Sequence, residues 1–240
     1  TPPPTTTTLV FIFMLYSKKI LYFSNHINYS GSIMHNLIKQ ISVIIILLSI
    51  SKVSLAEMTL EGLIFDDSKP FHLKILDSLP EKAIIQIGPD NAKNTIIEFM
   101  DYFCGYCKKI HSELIDLTNE RDDVRVIFLQ HPILSESSTL IAKMVIAANY
   151  QKKGFELHHS IFTIQGSITQ DKLDQAVSQS GINITNLKID MGKNEIDKMI
   201  QLSSFLAGGV GARGTPSLFI NEYFSPGYMS KNQIINMLKN

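Results

Sequence analysis

Two cysteines are all that this chain of 240 residues contains, and they stand three positions apart in Asp101-Tyr-Phe-Cys104-Gly-Tyr-Cys107-Lys-Lys109. Thiols at that spacing suit reversible disulfide exchange, zinc binding or a static bridge. A structural zinc site closes with four ligands, usually rich in sulfur. Here Cys104, Cys107 and His111 offer three, and no second cysteine pair exists. A static bridge over two intervening residues closes too short a loop to stabilise much. Inert core thiols fit poorly beside Gly105, Lys108 and Lys109, which suit a surface turn. The residues favour redox exchange.

The neighbouring segments give that chemistry a frame. Thr95-Ile-Ile-Glu-Phe-Met100 is an apolar, β-leaning run. After the pair, Cys107, Ile110, His111, Leu114 and Leu117 or Thr118 recur at the spacing of one helix face. A strand thus leads through a tight turn to a helix with Cys104 at its mouth. Unpaired N–H groups and the positive end of the dipole favour an anion there. In C-x-x-C sites this can lower a thiol pKa to roughly 3.5–7. Cys104 is expected to be the exposed nucleophile, and Cys107, one turn inside, the thiol that resolves a mixed disulfide.

Charge divides the chain unevenly. Residues 1–56 contain no Asp or Glu and only Lys18, Lys19, Lys39 and Lys52 as basic residues. The remainder holds 18 of the 22 basic residues against all 22 acids, a net charge of −4. Such asymmetry marks an acid-poor targeting segment rather than a nucleic-acid-binding tail. Met34-His-Asn-Leu-Ile-Lys39 reads as a basic leader and Ile41–Ile50 as a short apolar stretch. Ser54-Leu-Ala56 places small residues before a cleavage point at Glu57. The expectation is a cleaved signal peptide over 34–56 and export to the periplasm, with an uncleaved anchor as the alternative. Residues 1–33, opening on a Thr- and Pro-rich run, read as upstream read-through or a low-complexity segment; a second signal-like segment is the other reading.

The portion from Glu57, about 184 residues, is large enough for one domain with a real core. Residues 57–83 form a lead-in. Ile84–Ile87 is a short strand stopped by Gly88-Pro-Asp-Asn91, and Asp123–Gln130 a third strand stopped by His131-Pro132. Strand, helix, strand in that order makes a parallel βαβ unit. A long helix follows with Leu140, Ile141, Met144, Val145 and Ala148 on one stripe. Helices over Phe155–Ile164 and Thr169–Gln179, with Thr169 as N-cap, come next, then one or two over Ile184–Leu206. His158-His159 reads as a packed histidine and an exposed neighbour rather than as ligands. Gly208–Gly214 lacks the Lys-Ser/Thr ending of a phosphate-binding loop. Pro216, opening a β run, requires an edge, a bulge or a cis bond. Ser217–Ile220 and Tyr223–Ser225 form a hairpin around Asn221-Glu222, and Ser230–Lys239 a closing helix on Ile234, Ile235 and Leu238.

This order, with Phe99-Met-Asp-Tyr-Phe-Cys-Gly-Tyr-Cys107 and Gly214-Thr-Pro216, resembles the DsbA-like branch of the thioredoxin superfamily over residues 84–240. The resemblance implies an α/β thioredoxin fold, a mixed sheet flanked by helices, with a helical subdomain inserted at about 135–207. It implies thiol:disulfide oxidoreductase activity through a Cys104–Cys107 disulfide, without organic cofactor or metal. The partners implied are exported proteins with thiols or disulfides and a membrane redox partner that resets the pair. Thr215-Pro216 is expected to be a cis peptide beside the sulfurs, shaping a substrate groove with Gly105 and Tyr106. Glu98 matches the buried acid that relays a proton to Cys107; otherwise it is a solvated strand-end carboxylate. Gly105-Tyr106 departs from the Pro-His of DsbA-type oxidases and is closer to DsbC-type isomerases, which leaves oxidase against isomerase open. Leu60, Leu63, Ile64 and Phe65 suit core or lid packing, or self-association into a homo-oligomer. From a different class comes the alternative of a non-enzymatic surface or metal-handling protein on the same fold.

Overall fold

The computed structural model describes residues 68–239. Two nearly continuous apolar runs, β2 (Asn94–Met100) and β3 (Val124–Gln130), become strands covered on both faces, as such runs require. They pair in parallel, with Ile96 opposite Val126 and Glu98 opposite Phe128. β1 (Ile85–Ile87) lies antiparallel on the far side of β3, and β4 (Ser217–Ile220) antiparallel on the free side of β2. β5 (Tyr223–Ser225) completes the five-stranded mixed sheet, in the order β1-β3-β2-β4-β5. The turn that closes β1 needs glycine: Gly88 has φ +93°, and a Cβ there would collide with the Val124 carbonyl.

Between β2 and β3 runs α2 (Gly105–Glu120), which turns Cys107, Ile110, His111, Leu114 and Leu117 into the core, the face its spacing predicts. The chain between β3 and β4 is helical: α3 (Glu136–Tyr150), α4 (Gly154–Thr163), α5 (Gln170–Gln179), α6 (Ile184–Met191) and α7 (Asn194–Gly209). Ser135 caps α3 by accepting the Ser138 N–H at 3.1 Å, and Asn183 caps α6 in the same way at 3.0 Å. The stretch from Ile184 to Leu206 therefore holds two helices, parted at Gly192-Lys193. One stripe position differs from expectation. Leu140 is exposed, because the buried stripe of α3 runs through Ile141, Val145 and Ala148 and Leu140 falls on its flank. Thr169 stands at the N-cap of α5 but its side chain caps nothing.

The closing helix is shorter than its periodicity suggests. α8 spans Lys231–Ile235, opened by a capping box between Ser230 and Gln233. Its Ile234 and the following Leu238 are buried, and Ile235 is half-buried. In the lead-in, α1 (Phe71–Asp77) sends Ile75 into the common core, and the Phe71 ring lies 6.0 Å from that of Phe219. Among the described residues no helix is long and apolar enough to cross a membrane. The segments 1–33 and 34–56, and Leu60, Leu63, Ile64 and Phe65, lie outside the described residues.

Candidate active site

Sheet register gathers the site. Glu98 sits in the middle of central strand β2, opposite Phe128 on one side and Leu218 on the other. Ser217 pairs with Phe99, so Thr215 and Pro216, just before it, fall beside the end of β2 where the cysteine turn begins. The Thr215–Pro216 peptide is cis, the third of the options open to a proline at the head of a strand.

Asp101 fixes the turn between β2 and α2. Its carbonyl accepts the Cys104 N–H at 3.1 Å. Its carboxylate is 1% exposed. One oxygen accepts the Phe103 N–H and the Ser138 hydroxyl, both at 2.8 Å. The other accepts the N–H groups of Ile133 and Leu134 at 2.9 and 3.0 Å. Four donors, from the turn after β2, the loop after β3 and the first turn of α3, satisfy this buried carboxyl group, as burial demands. Sequence reasoning passed over Asp101. The signal was an acid directly after an apolar strand and before the reactive turn.

Cys104 is the N-cap of α2, and its sulfur accepts the Cys107 N–H at 3.3 Å. On its other side the thiol donates to the Thr215 carbonyl at 3.1 Å. Both cysteines are free thiols. The expectation of an exposed Cys104 needs correction: it keeps 8% exposure, because Thr215 covers it, while Cys107 is fully buried. The helix-mouth N–H groups contribute to the acidity of Cys104 but are not its main source. The Cys104 thiol is brought down to about 5, chiefly by the hydrogen bond that the Cys107 thiol offers its thiolate. Burial opposes this, and the Thr215 side chain and the backbone N–H groups of Cys107 and Tyr106 add to it. Burial pushes Cys107 far up, and its bond to Cys104 and the nearby Glu98 push in the same direction.

Glu98 is the buried acid, not a solvated strand-end carboxylate. It is 1% exposed, and its Oε1 has no hydrogen-bond partner. Burial raises its carboxyl well above the usual range, a hydrogen bond with Cys107 offsets part of that, and charge on Cys104 adds to it.

Gly105 is exposed and Tyr106 is 62% exposed, at the open edge of the pair. The Tyr106 ring lies 5.7 Å from that of Tyr228, whose hydroxyl donates to Glu113 at 2.6 Å. Lys109 places its ammonium 4.3 Å over the same ring. His111 does not join the thiols as a third ligand. Its Nε2 meets His159 Nδ1 at 3.0 Å, and burial holds its pKa down to about 3. Among the described residues no three His, Cys, Asp or Glu side chains gather in a way that could hold a metal ion. His158 is fully buried, with Nδ1 2.9 Å from the Tyr102 hydroxyl, while His159 is half-buried.

The site is therefore a helix-mouth thiol with a lowered pKa, a buried partner thiol, a buried acid and a cis-prolyl loop, arranged for thiol–disulfide exchange. Known proteins are similar to this chain. The disulfide bond formation protein D of Bacillus subtilis is 23% identical over 148 residues, 57% of this chain and 67% of that relative. The thiol:disulfide interchange protein DsbC of Salmonella typhimurium is 23% identical over 160 residues, 66% of this chain and 56% of that relative. Of the curated relatives it matches, the chain spans as little as 21%, in an Na(+)/H(+) antiporter NhaA of Herminiimonas arsenicoxydans. Among solved structures, a periplasmic thioredoxin-like protein from Salmonella enterica superposes with a TM-score of 0.61 at 26% identity, covering 68% of this chain and 93% of that one. The family model described as Thioredoxin matches residues 81–240, two thirds of the sequence. The chain belongs to the thioredoxin family.

Proposed function

We propose that this protein is a thiol:disulfide oxidoreductase that forms and reshuffles disulfides in exported proteins. The observation that carries the reading is the Cys104 sulfur at the mouth of α2, its pKa lowered, with the buried Cys107 one turn behind it and the buried Glu98 beside Cys107. In the oxidising direction a substrate thiolate attacks Cys104 of the disulfide form. The Cys104–Cys107 bond breaks, and Cys107 leaves and takes a proton from the Glu98 carboxyl. A second substrate thiolate then attacks the substrate sulfur of the mixed disulfide and releases Cys104 as thiolate. Two electrons have passed to the pair, and a membrane redox partner takes them back. In reshuffling, the reduced Cys104 thiolate attacks a wrong disulfide instead. Thr215-Pro216, Gly105 and Tyr106 form the groove in which the substrate chain lies.

A pKa of about 5 for Cys104 falls between the values of about 7 for thioredoxin and about 3.5 for DsbA. Tyr106 brings a phenol where an imidazole would stabilise the thiolate further, so the pair is a moderate oxidant that spends time reduced. This supports a protein weakly specialised for either direction. Export through a signal peptide at 34–56 places it in the periplasm, the compartment named for the Salmonella enterica structure. The domain plan proposed with it is a removed leader, a lead-in to residue 83 and one thioredoxin domain from 84 to 240. The test gives reduced protein a scrambled, fully oxidised substrate, and the disulfide form a reduced one. Recovery of activity in both arms is expected; failure in both would end the reading.

A further inference from the structure

Residues 210–214 carry the chain from the end of α7 to Thr215, and their own packing holds them loosely. Gly211 has φ +82°, Ala212 alone is buried, and a Cβ added at Gly211 or Gly214 would meet nothing within 4 Å. Yet Thr215 must come to rest 3.1 Å from the Cys104 sulfur. Glycine-rich backbone is costly to order, so the segment needs tethers. Two are local: the Ala212 N–H donates to the Ala207 carbonyl at 2.9 Å, and the Ser217 hydroxyl to the Gly214 carbonyl at 2.7 Å. The third is His131, directly after β3 and 7% exposed. Its ring is hydrogen-bonded to the Ala212 backbone, and its Nδ1 lies 3.3 Å from the Ser204 hydroxyl of α7. Burial holds its pKa below the usual histidine value, while the Ala212 bond and the Asp101 charge pull it back up. The ring is therefore neutral at pH 7, with one donor and one acceptor. A bond that raises a histidine pKa is one the ring donates, so the N–H goes to the Ala212 carbonyl and the bare nitrogen takes the Ser204 hydroxyl. The backbone around the same residue is fixed to the cysteine turn. The His131 N–H donates to the Met100 carbonyl at 2.9 Å, and the N–H groups of Ile133 and Leu134 bind the Asp101 carboxylate.

We propose that His131 is a positioning residue of the exchange site: it joins residues 210–214 to the turn that carries Cys104, and so sets Thr215 against the sulfur. The proposal rests on the exchange activity proposed above and adds to it a residue that acts through Thr215. Thr215 meets the sulfur in two ways. Its carbonyl accepts the Cys104 thiol, and its side chain lowers the Cys104 pKa. An S–H is a weak donor, so losing the first contact changes little, whereas a hydrogen bond to a thiolate is charge-assisted. The second contact decides the sign: a Thr215 that drifts leaves Cys104 harder to ionise.

The test reads the Cys104 titration midpoint of the reduced full-length protein from the pH dependence of alkylation. His131→Phe keeps a ring against Phe99, whose centroid lies 6.5 Å away, and removes both polar atoms. Its midpoint should rise by about half to one pH unit above the parent value of about 5. That is less than the about one to two units of a full hydrogen bond to a charge, because Thr215 shifts without leaving. His131→Gln, which keeps an amide donor, should recover part of the difference, and Ser204→Ala, which removes one of the two ring partners, should show a smaller rise. A loss of stability alone leaves the midpoint of the folded protein where it was. Thr215→Val keeps the shape of the side chain and removes its hydroxyl; in that background His131→Phe should no longer move the midpoint. An unshifted midpoint in His131→Phe or, should that variant not fold, in Ser204→Ala overturns the proposal. A shift of equal size with and without the Thr215 hydroxyl overturns it also, by showing that His131 acts on the sulfur by another route. A parent protein that exchanges disulfides with neither an oxidised nor a reduced peptide removes the activity on which the proposal rests, whatever the midpoints show.

Discussion

Removal of the Cys107 thiol should make the Cys104 thiolate harder to form, by an amount the geometry sets. In the reduced protein the largest stabiliser of that thiolate is the hydrogen bond from the Cys107 S–H. A hydrogen bond to a charged group is worth about 1.5–3 kcal/mol. At about 1.4 kcal/mol per pH unit, its loss moves the midpoint up by about one to two units. Cys107→Ala should therefore titrate at about 6–7, against about 5 in the parent. Cys107→Ser keeps a donor at the same place and should stay within about one unit of the parent. The assay follows thiolate absorbance in the ultraviolet and the rate of alkylation across pH 3–9. Only Cys104 responds in that range, because Cys107 is pushed far above it. The same pKa governs stability. A thiol lowered on folding stabilises the reduced protein fully above its unfolded pKa, near 8.5, and loses the whole contribution as pH falls through about 5. At pH 7, two units above the folded midpoint, the contribution is about 3 kcal/mol. A parent midpoint near that of an ordinary thiol, or an alanine variant that titrates no higher than the parent, refutes the reasoning.

Four further outcomes are expected. Cys107→Ala should accumulate mixed disulfides with exported proteins, seen as bands that vanish on reduction; a clean gel argues against Cys104 as nucleophile. Glu98→Gln should stabilise the reduced protein near pH 7 and make no difference below about pH 4, because a carboxyl whose pKa is raised on folding costs stability only once pH rises above its unfolded value. Urea unfolding at the two pH values checks this, and a variant weaker than the parent at pH 7 contradicts it. Asp101→Ala should cost about 1–3 kcal/mol, since one buried and three part-buried donors lose their shared acceptor; a loss well under about 1 kcal/mol would mean that water replaces the carboxylate freely. Mass spectrometry of the exported protein should find Glu57 at the N-terminus, and residues ahead of Ser54 would indicate a retained anchor.

What could be read from the sequence was what is local. The face of α2 and the hairpin at Asn221-Glu222 rest on periodicity and turn chemistry within a few residues, the parallel pairing of β2 with β3 on the order strand, helix, strand, and the structure repeats all three. The two thiols were legible because nothing else in the chain competes for that chemistry. Glu98 could be placed only through resemblance, because a carboxylate within an apolar run gives no sign of whether its face is covered. Asp101 was illegible for another reason: its partners at 133, 134 and 138 lie beyond a whole helix and strand. The cover over Cys104 and the pairing of Tyr102 with His158 depend likewise on contacts 111 and 56 residues apart. Leu140 shows the limit of stripe counting, since neighbouring positions on α3 differ by one step around the axis and only packing decides which is inside.

The Thr215 contact also sets an order in time. As the chain emerges from its N-terminus, the cysteines arrive early, yet the residue that covers the sulfur follows 111 positions later, after six helices have been made. Central strand β2 waits equally long for β4. Until that late segment docks, the sulfur lacks the contribution of Thr215 to its acidity and lies open on one side. A half-made molecule thus carries a quieter, less selective thiol. Full reactivity comes only with closure of the sheet, so the protein acquires its ability to act on other disulfides after its own chain has little left to entangle.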